Sequence, residues 1–163
     1  MANDSQQIGF LPSVLDRLID PDSAGTLART GYGLNEMIDA VRRDLEELLN
    51  TRRGQPVPPE RYPELSKSVF NYGLPDLVTT PAATLQQREA LARLLEQIVT
   101  LYEPRIRNVR ATVTGNIDGK DRAIRFRLEG QLRVEPAPDV EFETVLELSS
   151  GHSQVKSNVN ATQ

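Results

Sequence analysis

The chain has no cysteine, no tryptophan and a single histidine, His152, in 163 residues. Without cysteine there can be no disulfide, no thiolate nucleophile and no sulfur-ligated zinc or iron–sulfur site. One histidine does not supply a multi-histidine metal centre, and a serine–histidine–acid triad is poorly provided for. Aromatic residues make up 5% of the chain, so stacking platforms for sugars or single-stranded nucleic acid are scarce. No apolar run approaches the ~20 residues needed to cross a bilayer. The first seven residues are polar and lack the basic-then-apolar pattern of a signal peptide. The expectation is a cytoplasmic protein with no direct membrane insertion, no metal and no cofactor.

What is present fits one domain with one core. The expected division is a flexible tail over 1–9, a single domain over 10–155 and a flexible tail over 156–163. Arginine outnumbers lysine 16 to 3 at a net charge of −4, which favours bidentate pairing over loosely solvated positive charge.

The first half reads as helices. Val14 to Ile19 forms a short amphipathic helix that Asp20-Pro21 breaks. Leu34, Met37, Ile38, Val41, Leu45, Leu48 and Leu49 recur at spacings of three and four, one stripe of a long helix, while Glu36, Asp39, Arg42, Arg43, Glu46 and Glu47 cover the rest. Pro56, Pro58 and Pro59 follow that helix and forbid regular hydrogen bonding. In the connection beyond them, Leu65, Val69 and Phe70 predict a helical turn pinned to the core, Tyr72 a packing anchor and Gly73 a turn conformation. A second long helix starts at Thr84, with Gln87 completing a capping box, and stops before Pro104.

Beyond Pro104 the period changes to two. Val109, Ala111 and Val113 alternate with polar residues, Asp118-Gly119 is a hairpin signal, and Ile124, Phe126, Leu128, Leu132 and Val134 share one face of the return strand. Pairing across Asp118-Gly119 predicts Val113 opposite Ile124 and Val109 opposite Leu128. A third strand directs Val140, Phe142, Leu146 and Leu148 inward, with Glu141, Glu143 and Glu147 outward. The fold class is therefore α+β, N-terminal helices packed on a C-terminal antiparallel β-meander. His152 falls near the polar tail, as an exposed residue without a role.

The sheet is polarised in charge. Residues 104–134 carry eight basic and three acidic side chains, and residues 135–150 carry five acidic and none basic. A nucleic-acid footprint needs an exposed, unopposed basic face. A turn centred on Ala137 instead sets Arg133 opposite Glu141 and Arg127 opposite Glu147, so the charges are satisfied within the sheet.

Glu103-Pro104-Arg105 stands at the change from helix to strand. A carboxylate and a guanidinium separated by a stiff proline can point in different directions from a fixed corner, each open to a bidentate contact. Three blocks occur in order: Val41 to Arg53 (VRRDLEELLNTRR), Asn71 to Leu77 (NYGLPDL) and Tyr102 to Ile106 (YEPRI). Together they resemble the TssE family, the baseplate subunits of type VI secretion systems, which are similar to a small wedge subunit of contractile phage baseplates and are often labelled lysozyme-like. Tyr102 stands where relatives often have phenylalanine. The resemblance implies a non-enzymatic subunit in a complex assembled at the inner membrane. It also implies contacts with the baseplate proteins TssF and TssG and a part in starting the sheath of TssB and TssC. Glu103, Pro104 and Arg105 are then the assembly motif, and an open sheet edge is where a sheath strand would add. On this reading Glu103→Arg stops sheath assembly and leaves the monomer folded.

A general scaffold or adaptor protein fits the same lack of catalytic groups, and a glycosidase is the other reading. Glycoside hydrolysis generally uses two carboxyl groups about 5–10 Å apart, one of them protonated. Glu103 could be one, but the neighbouring Arg105 favours a salt-bridged glutamate over a general acid, and the pattern places no second carboxylate beside it. No catalytic residue is expected.

Overall fold

A computed structural model describes residues 14–19, 33–54, 61–77, 82, 84–115, 123–135 and 137–158. The elements in chain order are α1 (Val14–Ile19), α2 (Leu34–Asn50), 3-10 turns at Leu65–Lys67 and Val69–Asn71, α3 (Leu85–Tyr102), β1 (Ile106–Thr114), β2 (Ala123–Leu132), β3 (Asp139–Glu147) and β4 (Ser153–Ser157). The fold is α+β, with helices first and then a four-stranded antiparallel sheet of order β1-β2-β3-β4. The tail over 1–9, the Asp20-Pro21 break, the run Pro56 to Pro59 and the Asp118-Gly119 turn lie outside the described residues.

The apolar stripe of α2 is buried through Met37, Ile38, Val41, Leu45, Leu48 and Leu49. It shares one core with Leu91, Leu95, Ile98 and Val99 of α3 and with the inner face of the sheet, where Phe126, Phe142 and Leu146 are fully buried. Thr84 caps α3 as its sequence predicts: its Oγ1 accepts from Gln87 N–H at 3.2 Å, and Gln87 Oε1 accepts from Thr84 N–H at 3.1 Å.

The alternation along the strands holds, but the registers differ from those predicted. Val113 faces Phe126 and Ala111 faces Leu128, so residues 110–114 of β1 are displaced by two along β2 and keep their faces. A bulge between Arg107 and Arg110 then takes one residue back, so that Ile106 pairs with Leu132. It contains Asn108 at φ +54°, and it returns both Ile106 and Val109 to the inner side despite their odd spacing. Gly130 sits opposite, where a Cβ would lie 2.5 Å from Ile106 Cγ2 and 3.1 Å from Arg107 O. Between β2 and β3 the turn is centred two residues before Ala137, which sets Arg127 opposite Glu143 and Glu129 opposite Glu141. Arg127 reaches diagonally to Glu141, Nε to Oε1 at 3.3 Å. Arg133 has no acidic partner across the ladder, and its N–H donates instead to Arg105 O at 2.8 Å.

Two further differences concern segments that pattern alone misreads. β4 is an additional strand; it includes Lys156 and Ser157, beyond the tail boundary read at 155. Exposed His152 belongs to the β3–β4 connection, where its carbonyl accepts from Glu147 N–H at 2.8 Å. In the α2–α3 connection Val69 and Phe70 are exposed, and the pinning is done by Leu74 and Leu77, both buried. Leu74 joins Arg52 in a parallel bridge, with Leu74 N–H donating to Thr51 O at 2.8 Å and Arg53 N–H to Leu74 O at 2.9 Å. Gly73 permits that approach: its φ is +100°, and a Cβ there would lie 2.4 Å from Thr51 O.

The two edges of the sheet are not equivalent. On β4, Asn50 at the end of α2 acts as a side-chain strand: its Nδ2 donates to Ser153 O at 2.9 Å and its Oδ1 accepts from Ser153 N–H at 2.8 Å. Arg42 Nη1 donates to Val155 O at 3.5 Å, further along the same edge. On β1, Ala111 N–H donates to Glu96 Oε2 of α3 at 3.3 Å. Ala111 therefore turns its backbone groups away from β2, as does Val113 two residues on. Among the described residues no hydrogen bond reaches Ala111 O or the outward groups of Val113.

Candidate functional site: the helix–strand corner

α3 ends where Glu103 N–H donates to Val99 O at 2.8 Å. The chain then reverses around Pro104, with Ile106 N–H donating to Glu103 O at 3.2 Å. Pro104 is thus the second residue of a turn, the position for which its fixed φ is prepared. The turn places Glu103 inward, 4% exposed, and starts β1 immediately.

Of the arrangements the sequence leaves open, the corner takes the internal pair and does not splay its charges outward. Arg105 folds back on Glu103, with Nε donating to Oε1 at 2.7 Å and Nη2 to Oε2 at 2.5 Å, a bidentate fork. Arg105 N–H adds a third contact to Oε1 at 3.1 Å. A buried carboxylate needs such compensation, because an unpaired charge out of water is costly. The interaction is internal.

The network extends beyond the three residues of the motif. Arg105 Nη2 also donates to Asp44 Oδ2 at 2.6 Å. The other Asp44 oxygen, Oδ1, accepts from Arg43 Nε at 3.2 Å and Arg43 Nη2 at 3.0 Å. Arg43 Nη2 in turn pairs with Asp16 of α1, a carboxylate 2% exposed. Asp16, Arg43, Asp44, Arg105 and Glu103 therefore alternate in sign across α1, α2 and the corner. Burial by itself lowers the Arg105 pKa, but hydrogen bonds and charge from Glu103 and Asp44 outweigh it and raise the value. For Arg43 the hydrogen bond to Asp16 is the leading cause of a raised pKa.

Sequence reasoning placed Arg43 on the solvated side of α2 and passed over Asp44 and Asp16. One signal was available. Positions 41, 44, 45 and 48 follow the spacing of the apolar stripe, and Asp44 puts an acid in it. An acid at such a position demands a cation from elsewhere in the chain.

Two tyrosines close one side of the corner. The rings of Tyr72 and Tyr102 meet edge to face with centroids 5.2 Å apart. Burial raises the Tyr72 pKa, and the negative charges of Glu47, Asp44 and Glu103 add to the effect. Tyr72 is thus the packing anchor its sequence predicts, and Gly73 supplies the turn beside it.

Chemically, the corner is a tie. Both Glu103 oxygens are occupied by Arg105, and Asp44, the nearby second carboxylate, is reached across the same guanidinium. That leaves no gap between two carboxylates for a sugar or a hydrolytic water, which is what a glycosidase pair requires. Among the described residues no group of acidic or histidine side chains could hold a metal ion, and no helix is long and apolar enough to cross a membrane.

A family model described as baseplate wedge protein gp25 matches residues 35–137. The match takes in α2, the corner, β1 and β2, more than half of the chain. Comparison with curated proteins and with solved structures gives no match.

Proposed function

Since the chain belongs to the baseplate wedge protein gp25 family, a family of structural baseplate subunits, we propose that it serves in the wedge of a type VI secretion baseplate. In that role it contacts TssF and TssG and helps to start the sheath of TssB and TssC, in a complex at the inner membrane. The internal tie at Glu103 and Arg105 supports a structural use of the motif: it fixes the angle between α3 and β1, so that the corner is a rigid shape for a partner to fit.

The observation that carries the sheath part of the proposal is the difference between the two sheet edges. β4 is occupied by Asn50 and Arg42, whereas β1 keeps Ala111 O and the outward groups of Val113 unpaired among the described residues. An edge of this kind accepts an added strand through main-chain hydrogen bonds. β1 is therefore the edge at which a sheath strand would pair.

The test uses proline, which an edge strand tolerates where the lost N–H faces outward. Val113→Pro should leave the monomer folded and prevent formation of fluorescently tagged sheaths in cells lacking the native chain. Sheaths of normal number and length with Val113→Pro would sink the assignment of this edge.

A further inference from the structure

The α2–α3 connection holds an apolar surface that the corner and the sheet edge leave unused. Val69 is 87% exposed, Phe70 50% and Tyr62 52%. These side chains do not face outward for want of local structure. Ser68 Oγ accepts from Phe70 N–H at 3.2 Å, Asn71 Nδ2 donates to Ser66 O at 3.0 Å, and Tyr102 O–H donates to Ser68 O at 3.2 Å. The backbone of the turn is thus tied at several points while its apolar groups remain in water. Rigid apolar groups held outward are the arrangement that lowers the ordering cost of association.

Charge defines the kind of partner. Arg53 reaches the turn through Nη1 to Asn71 Oδ1 at 3.5 Å. Arg61 lies over the Tyr62 ring at 4.9 Å from its centre, and Lys67, the last residue of the first turn, is exposed. Over residues 53–71 the sequence sets Arg53, Arg61 and Lys67 against Glu60 and Glu64, a surplus of one positive charge. The turn is also continuous with the corner, because Tyr102 immediately precedes Glu103 and stacks on Tyr72.

We infer that Val69 and Phe70 are anchors that enter an apolar cleft, rimmed by carboxylates, on the wedge protein that docks at the corner. This rests on the wedge assignment above and adds to it the chemistry of the contact. The cations around the turn speed and orient docking, and the two apolar side chains hold the complex once formed.

The test is binding of the full-length chain to a purified TssF–TssG pair. Val69→Ser and Phe70→Ser should each weaken binding about tenfold or more, with the thermal midpoint unchanged for Val69→Ser, since Val69 is 87% exposed. Phe70→Leu should keep most of the affinity, and Lys67→Gln should reduce its salt dependence. A photo-crosslinking residue at position 69 should join to an apolar residue of TssF or TssG. Wild-type affinity in both serine variants, or crosslinks only to a second copy of this chain, would overturn the inference while leaving the wedge assignment in place. Failure of the wild-type chain to bind would instead remove that assignment.

Discussion

Arg105 joins two carboxylates that lie 59 positions apart in sequence, on α2 and at the end of α3, donating to Asp44 Oδ2 at 2.6 Å and to Glu103 Oε1 at 2.7 Å. Arg43 continues the chain of charges to Asp16. The motif at 103–105 is therefore the end of a network whose other members come from the helices, and its effect on the fold can be measured apart from any partner.

Removing the shared acid should be felt at both guanidinium groups. Asp44→Asn is expected to cost about 1.5–3 kcal/mol, the range for hydrogen bonds to charged groups. In a double-mutant cycle with Glu103→Gln, urea unfolding should give a coupling of about 0.5 kcal/mol or more. Simple additivity would mean that the two carboxylates do not act through Arg105.

Charge reversal at Glu103 is a harsher change than the sequence alone leads one to expect. Because Glu103 is buried, Glu103→Arg would bring a second guanidinium against Arg105 with no anion between them except Asp44. A loss of about 3–5 kcal/mol is expected, as for breaking a buried pair, and the variant should show a lowered or absent unfolding transition by circular dichroism. Sheath loss in this variant would then report unfolding. Native stability in Glu103→Arg would show that the carboxylate does not hold the corner.

Alkaline pH should weaken the fold through its tyrosines. Burial raises the pKa of Tyr72 and of Tyr102 above the ordinary 10.0. The unfolded chain then loses its tyrosine protons first, so this stabilisation is complete below about pH 10 and is lost as pH rises through the higher folded values. Denaturation midpoints should be level from about pH 8 to about pH 9 in this respect and fall above about pH 10. Tyr72→Phe and Tyr102→Phe should each flatten the decline. A decline equally steep in both variants would place its cause elsewhere.

Gly73 is a backbone requirement. Gly73→Ala would add a Cβ 2.4 Å from Thr51 O at a φ of +100°, and backbone cannot move aside cheaply. A loss of about 1–3 kcal/mol is expected, seen as a lower urea midpoint. Gly54, where a Cβ would meet nothing within 4 Å, is the control. Equal midpoints for Gly73→Ala and Gly54→Ala would contradict the bridge between Thr51 and Leu74.

Periodicity carried the elements because burial follows it: the α2 stripe, the Thr84 cap and the alternation in β2 and β3 all appear where the residues place them. Register was not legible. Over 110–114 of β1, and between β2 and β3, the pairing is shifted by even numbers of residues, which leaves every face unchanged and so gives no hydrophobic signal, and the one-residue bulge at Asn108 has no mark in the apolar pattern. β4 carries little signal in its sequence because SQVKS has one buried apolar residue, Val155, with Asn50 completing its edge from a distant helix. Apolar residues in a connection usually turn inward, and the exposure of Val69 and Phe70 follows from hydrogen bonds that the sequence does not announce. At the site, Glu103, Pro104 and Arg105 stood out, but their contacts did not. Asp44 and Asp16 act through spatial neighbours, and only the acid within the α2 stripe hinted at them.

The central claim is that this chain is a wedge subunit, and the most direct test is co-purification of the tagged full-length protein with the TssF and TssG homologues expressed beside it. The account predicts a stable complex with one or both that survives gel filtration. A folded chain that elutes alone, with neither protein bound, would contradict it.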